Sequence, residues 1–208
     1  MKGYWINHVL DIKDPVRFGS YVEASQPMFQ GNNQYGAKIM LLGPVAATLT
    51  GKPVQYAAIV EFNSVKAAID FWNDPQYAAT RSLMGPLDDE SAVVDRRVCC
   101  IEAEPFTVSP GQGFWLNHVQ EIIDDSAFFS YAEASLPHFT CAGFGPVVHQ
   151  HTGEQKIQLA AALGFESIGT ATTIYTTPEY RAALAAGNME SGESHVVNRT
   201  ICAIEVPA

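Results

Sequence analysis

Two segments, GYWINHVLDI (3–12) and GFWLNHVQEI (113–122), each set an Asn-His pair inside an otherwise apolar run. Histidine is the side chain whose unperturbed pKa lies near neutrality, so His8 and His118 are candidate general acid/base groups. Strand alternation puts Tyr4, Ile6, His8 and Leu10 on one face and Trp5, Asn7 and Val9 on the other. His8 therefore shares its face with apolar residues. Two readings of it stand side by side: a structural imidazole with satisfied nitrogens, and a proton-transfer group in a half-apolar pocket. The expectation is that His serves the site and Asn the join between the two parts of the chain.

Other chemistry-bearing residues also come in pairs. Tyr21 and Tyr131 fall on the apolar stripe of a predicted helix and are expected to orient a ligand by their hydroxyls or to be core aromatics. Arg96 and Arg199 sit amid apolar strand residues and need an anionic partner, either a structural carboxylate or a substrate oxyanion. Glu61 is a candidate partner for Arg96 and, with Trp72 and His195, a candidate substrate contact. His149 and His151 are two apart, a spacing that puts both imidazoles on one strand face. They are weak metal-ligand candidates, with His138, His195 or Glu154 as conceivable third ligands. The four cysteines, at 99, 100, 141 and 202, lack CxxC spacing and read as buried free thiols of a reducing compartment. No Walker-type phosphate loop occurs, and no metal or organic cofactor is expected.

The elements that must position these residues are written twice. At an offset of 110, residues 3–29 match 113–139 at 15 of 27 positions. The register resumes at an offset of 103, where "QYAAIVEF" faces "QLAAALGF" and "SAVVDRRVCCIE" faces "SHVVNRTICAIE". The expected organisation is a first repeat over 1–104, a Pro/Gly-rich linker over 105–112, and a second repeat over 113–208. Within the first repeat, 3–12 reads as a strand. A helix follows, capped by Asp14 with Pro15 at its first position. "AKIMLLG" and "VQYAAIVEF" are strands, 64–83 is one helix capped by Ser64, and 92–103 is the last strand. The order β-α-β-β-α-β predicts an α+β protein of two fused ferredoxin-like units. Each unit leaves one sheet face bare, so the two are expected to pack sheet to sheet as an intrachain pseudo-dimer. A homodimer of whole chains is an open addition.

The run "AAIVEF…AAIDFWNDPQYAATR", with Glu61, Phe62, Trp72, Pro75, Tyr77 and Arg81 in order, together with Tyr21 and "YGAKIMLLG", resembles the family catalogued as domain of unknown function 1330, of the dimeric α/β barrel superfamily. The second repeat departs from that pattern: Gly164 replaces Glu61, Tyr175 replaces Trp72, and no arginine stands at the Arg81 position. The resemblance implies the fold. It also implies a range of activities among wider relatives, from cofactor-free monooxygenases and lactone isomerases to cyclases, dehydratases and haem-binding proteins.

Composition narrows the partners. Apolar residues make up 47% of the 208, enough for a sizeable core, and the formal net charge of −10 disfavours nucleic acid or an anionic membrane. No apolar run approaches the roughly 20 residues of a membrane span, and no signal peptide is read at the N-terminus, so a cytoplasmic location is expected. The function expected is a cofactor-independent isomerase, cyclase or lyase acting by acid/base chemistry on a small, oxygenated, fairly apolar metabolite. The alternatives are a non-catalytic small-ligand or haem-binding protein and a structural or interaction protein.

Overall fold

A computed structural model describes residues 1–86 and 89–207. The chain order is β1 (Lys2–Ile12), α1 (Pro15–Ser25), β2 (Lys38–Thr50), β3 (Tyr56–Phe62), α2 (Val65–Trp72), α3 (Pro75–Arg81), β4 (Val94–Ala103), β5 (Gly113–Ile122), α4 (Asp125–Ser135), β6 (Cys141–Thr152), β7 (Leu159–Phe165), α5 (Ile168–Thr173), α6 (Pro178–Ala186) and β8 (Val197–Glu205). The second half repeats the order of the first. The eight strands close into one barrel, β1-β3-β2-β8-β5-β7-β6-β4.

The barrel closes because β2 and β6 are longer than the sequence pattern predicts. The first part of β2 pairs with β3 up to Pro44↔Tyr56, and its continuation crosses to β8 from Val45↔Ile204 to Thr50↔Ile201. In the other half, β6 pairs with β7 and then reaches β4 from Ile101↔Val147 to Val98↔Thr152. Both crossings carry register shifts, the bends a strand needs to turn from one sheet into the next. The strand "AKIMLLG" therefore runs on well past its expected end. The halves do not merely face each other; they are hydrogen-bonded edge to edge, which leaves no open edge on the barrel.

A second correction concerns the helix expected over 64–83. Ser64 caps α2 as expected, accepting from Ala67 N, but α2 ends at Trp72 and a new helix starts at Pro75. Asp74 accepts from Gln76 N and Tyr77 N, and Pro75 takes the first helical position. A cap followed by Pro both ends one helix and begins another. The cap of α1 is as expected, with Asp14 accepting from Val16 N and Arg17 N.

The core has three parts. The barrel interior holds Tyr4, Ile6, Leu10, Ile59, Cys99, Ile101, Phe114, Leu116, Cys202 and Ile204. Outside it, one layer forms under the first-half helices around Trp5, Phe62, Phe71 and Tyr77, and another under the second-half helices around Trp115, Phe165 and Tyr180. Phe106 and Val108, from the segment between the halves, pack onto the interior cluster.

Candidate functional site

The strand alternation holds, but the two faces are exchanged in role. His8 and His118 point into the barrel and are fully buried, their rings stacked at 3.8 Å across the join. His118 Nε2 donates to the Ile6 carbonyl at 3.2 Å and lies 3.4 Å from Cys99 Sγ; His8 Nε2 lies 3.6 Å from Cys202 Sγ. Neither Nδ1 has a partner among the described residues. Burial lowers both imidazoles, His8 to about 3, which keeps them neutral. The histidines thus serve the join. Asn7 faces the helices, reversing the expected division.

On that helix side lies a cavity of about 500 Å³ between the first-half strands and α1. Its walls are mostly apolar: Trp5, Val9, Phe18, Phe29, Ile39, Leu42, Ala57, Ala58 and Val60. The polar groups on it include Asn7, Tyr21, Tyr77 and Arg96. Tyr21 Oη is 2.7 Å from Tyr77 Oη and accepts from Arg96 Nη1 at 3.1 Å. Arg96 Nε and Nη2 donate to the two Glu90 carboxylate oxygens at 2.5 and 2.8 Å. Burial disfavours the Arg96 cation, but Tyr21 and Glu90 more than offset it and hold the guanidinium charged. Burial also pushes the Tyr77 phenol well up, so it stays protonated. Asn7 Oδ1 is shielded from water and has no partner among the described residues, so an amide oxygen at the cavity wall is left unpaired.

The same polar set recurs in the second half, where Glu193 and Tyr175 border a cavity of about 410 Å³ shared with Leu49, Thr50 and Met189. Arg199 donates to Tyr131 Oη at 3.1 Å and to Glu193 Oε2 at 2.6 Å, and Tyr131 bonds Tyr180. There Phe128 is buried and α4 packs directly on α6. Gly187, at the end of α6, permits this approach: a Cβ there would stand 2.5 Å from Tyr131 Cβ. Tyr175 fills the place of Trp72 and accepts from Arg199 Nη2 at 2.9 Å.

The remaining expected contacts lie elsewhere. Glu61 does not reach Arg96; it pairs with Lys2 at 3.4 Å and accepts from Tyr4 Oη at 3.2 Å, at the far end of β3. Trp72 lies outside the cavity, under the Arg81 guanidinium at 4.0 Å and stacked with His151 at 4.3 Å. His195 is exposed and bonds the Asn188 carbonyl. His149 is exposed and His151 half-buried, and among the described residues no group of three His, Cys, Asp or Glu is placed to hold a metal. The cysteines are free, and burial raises Cys100 and Cys202 to about 12, so these thiols are inert. Sequence reasoning assigned no site role to Tyr77 or Glu90. Their signal was present: Tyr180 and Glu193 stand 103 residues further on, in the register that pairs Arg96 with Arg199.

Barrel and helix layers together make a mixed α/β fold, an eight-strand closed barrel with helices outside it, and its structural neighbours are of the dimeric α+β barrel type. The family model Domain of unknown function (DUF1330) matches residues 2–95. Solved structures of similar fold include an anthrone oxidase-like protein, with TM-score 0.60 and 11% identity over 100% of this chain and 92% of the other. A "putative monooxygenase" from Fusobacterium nucleatum subsp. nucleatum ATCC 25586 superposes with TM-score 0.55 and 8% identity, covering 100% of this chain and 92% of its own. Another, from Lactobacillus acidophilus NCFM, gives 0.50 and 10%, covering 98% and 93%. At such identities the likeness is one of fold. No curated protein matches the sequence. No helix among the described residues is long and apolar enough to cross a membrane.

Proposed function

We propose that the chain is a fused pair of ferredoxin-like units, residues 1–104 and 113–208, in which the first carries an enzyme site and the second supports the barrel. The site moves a proton on a small, fairly apolar, oxygenated metabolite, as an isomerase, cyclase or lyase does. The observation that carries this reading is the Tyr21 hydroxyl, set on an apolar cavity and held by both a buried cation and a second phenol. Tyr21 gives its proton to a substrate carbonyl oxygen, and the phenolate it leaves takes the proton from the adjacent carbon, so the enol forms and Tyr21 is a phenol again. The reverse steps return a proton to carbon from a Tyr21 hydroxyl that has exchanged with solvent. Arg96, fixed by Glu90, stabilises the negative charge that Tyr21 or the substrate carries in between. Asn7 binds a further polar group of the substrate, satisfying the amide oxygen that otherwise lacks a partner. Apolar walls exclude water, so each of these interactions is stronger than in solution. A haem reading fits the cavity poorly, because among the described residues no histidine lines it and the two phenols that do, Tyr21 and Tyr77, are hydrogen-bonded to each other.

The test is solvent-deuterium uptake, followed by NMR, into enolisable ketones and phenols selected by thermal shift. Tyr21→Phe should lower the exchange rate by about 10²–10⁴-fold while binding persists. Ala58→Phe, which fills the cavity, should abolish both. Exchange that survives Tyr21→Phe at the native rate removes the proposal.

A further inference from the structure

A second cavity, of about 770 Å³, lies where the first half meets the β6–β7 turn of the second. Arg96 lines both cavities, but the side chain that sets this one apart is Arg97, the next residue of β4 and on the opposite face. Arg97 is 4% exposed, so its guanidinium has lost nearly all contact with water. Nη2 donates to Gln155 Oε1 at 3.2 Å, whereas Nη1 has no acceptor among the described residues. A neutral amide is thus the sole hydrogen-bond acceptor of this guanidinium among the described residues. Asp89, Glu90, Asp95 and Glu154 also line the cavity; of the described carboxylates only Asp95 favours the Arg97 cation, and burial outweighs it. A buried cation without an anionic partner is among the more destabilising arrangements a protein can hold.

The second half shows that the barrel does not need this charge. Thr200 stands at the equivalent place on β8, where its hydroxyl accepts from Gln120 and a neutral pair closes the site. Arg97 instead sits within the field of the stacked histidines and helps lower them. Two further features of the cavity lack partners among the described residues. Both His151 ring nitrogens are shielded from water and unpaired, and the exposed Lys52 lines the same cavity.

We infer that this cavity is an oxyanion site, binding a small carboxylate or phosphate ligand through the Arg97 guanidinium, with Lys52 at its rim. The ligand's oxygens take the place of Gln155 Oε1 on Nη2 and supply the acceptor that Nη1 lacks. A planar guanidinium favours such two-point contact with a carboxylate or phosphate. The two cavities share Arg96 as a wall, but the ligand contacts inferred here are made by Arg97 and Lys52 and do not depend on the proton-transfer reading.

The experiment is a thermal-shift titration of the intact protein with inorganic phosphate and, separately, with succinate, at fixed ionic strength set by sodium chloride. Saturable stabilisation by either probe is expected, and which of the two binds more tightly distinguishes phosphate from carboxylate ligands. Arg97→Gln should abolish the shift, and Lys52→Gln should weaken binding about threefold to tenfold, as loss of one partly exposed charge does. Stabilisation by neither probe overturns the inference, as does a shift that Arg97→Gln leaves intact. If Arg97→Gln does not fold, the exposed Lys52 position decides: an unchanged affinity in Lys52→Gln overturns it.

Discussion

At the scale of single residues, the stacked His8–His118 pair makes a pH prediction with a definite sign. Its folded pKa values are depressed, His8 to about 3 against an ordinary 6.5. The unfolded chain therefore binds protons first as pH falls. Stability is fully present above about pH 6.5 and is lost towards pH 3, at about 1.4 kcal/mol per pH unit for each histidine in that window. His151, lowered to about 3 by burial and by His149, adds the same sign. Urea unfolding should show a lower stability at pH 5 than at pH 7.5, and a His8→Leu/His118→Leu double variant should flatten much of that slope. An unchanged slope in the double variant would exclude the pair as its source. A second prediction concerns Tyr21→Phe, which strips Arg96 Nη1 and Tyr77 Oη of a shared partner. It should cost about 1–3 kcal/mol in thermal or urea unfolding, besides its effect on proton exchange. Alternation alone told that His8 and Asn7 point opposite ways. It could not tell which face was the inside of a barrel, because both faces of β1 are apolar: Tyr4, Ile6 and Leu10 on one, Trp5 and Val9 on the other. A strand covered on both sides offers no polar face to mark the outside.

At the scale of elements, the packing of α1 and α4 decides whether a cavity opens beneath the helix: α1 borders one, whereas α4 packs on α6. With the offset of 103, Gly187 stands where the first half has Met84, a fully buried side chain of the layer beneath the first-half helices. Adding a methyl at Gly187 drives it into Tyr131 and the Ala127 carbonyl, at 2.5 and 2.8 Å. Gly187→Ala should therefore destabilise by about 1–3 kcal/mol. Gly19, exposed within α1 and with nothing within 4 Å of where a Cβ would stand, makes the control: Gly19→Ala should stabilise by about 0.5–1 kcal/mol. Urea midpoints of the two variants moving in the same direction would contradict this account of the packing. The helix caps at Asp14 and Ser64 were legible because capping is local chemistry. The extension of β2 was not, since Pro44 and the Ala-Thr run 46–50 carry little strand signal by themselves and are held by pairing with β8, over 150 residues away.

At the scale of the molecule, barrel closure couples the halves through two seams and a shared interior, so neither is expected to be stable without the other. A protein cut within 108–111 should reassemble from its pieces with a thermal midpoint that rises with concentration, whereas the uncut chain's midpoint stays fixed. Pieces that each melt cooperatively and separately at micromolar concentration would show that the seams are dispensable. The recurrence in sequence made two like units legible, and the bare sheet faces made their meeting legible. Edge closure was not, because it depends on strand continuations that cross from one unit to the other. One consequence follows from Phe106. The segment joining the halves crosses the barrel once, and its Phe106 ring lies 4.7 Å from Tyr4 and against Gly143, in a position that β2 fills with its own Leu41, paired to Ile59 as Gly143 is to Ala162. Two like units would fill equivalent positions alike; a pair tied once fills one such position from its own strand, with Leu41, and the other from the linker, with Phe106. The covalent tie gives this barrel an asymmetry, and with it two sides that can evolve independently within a single molecule.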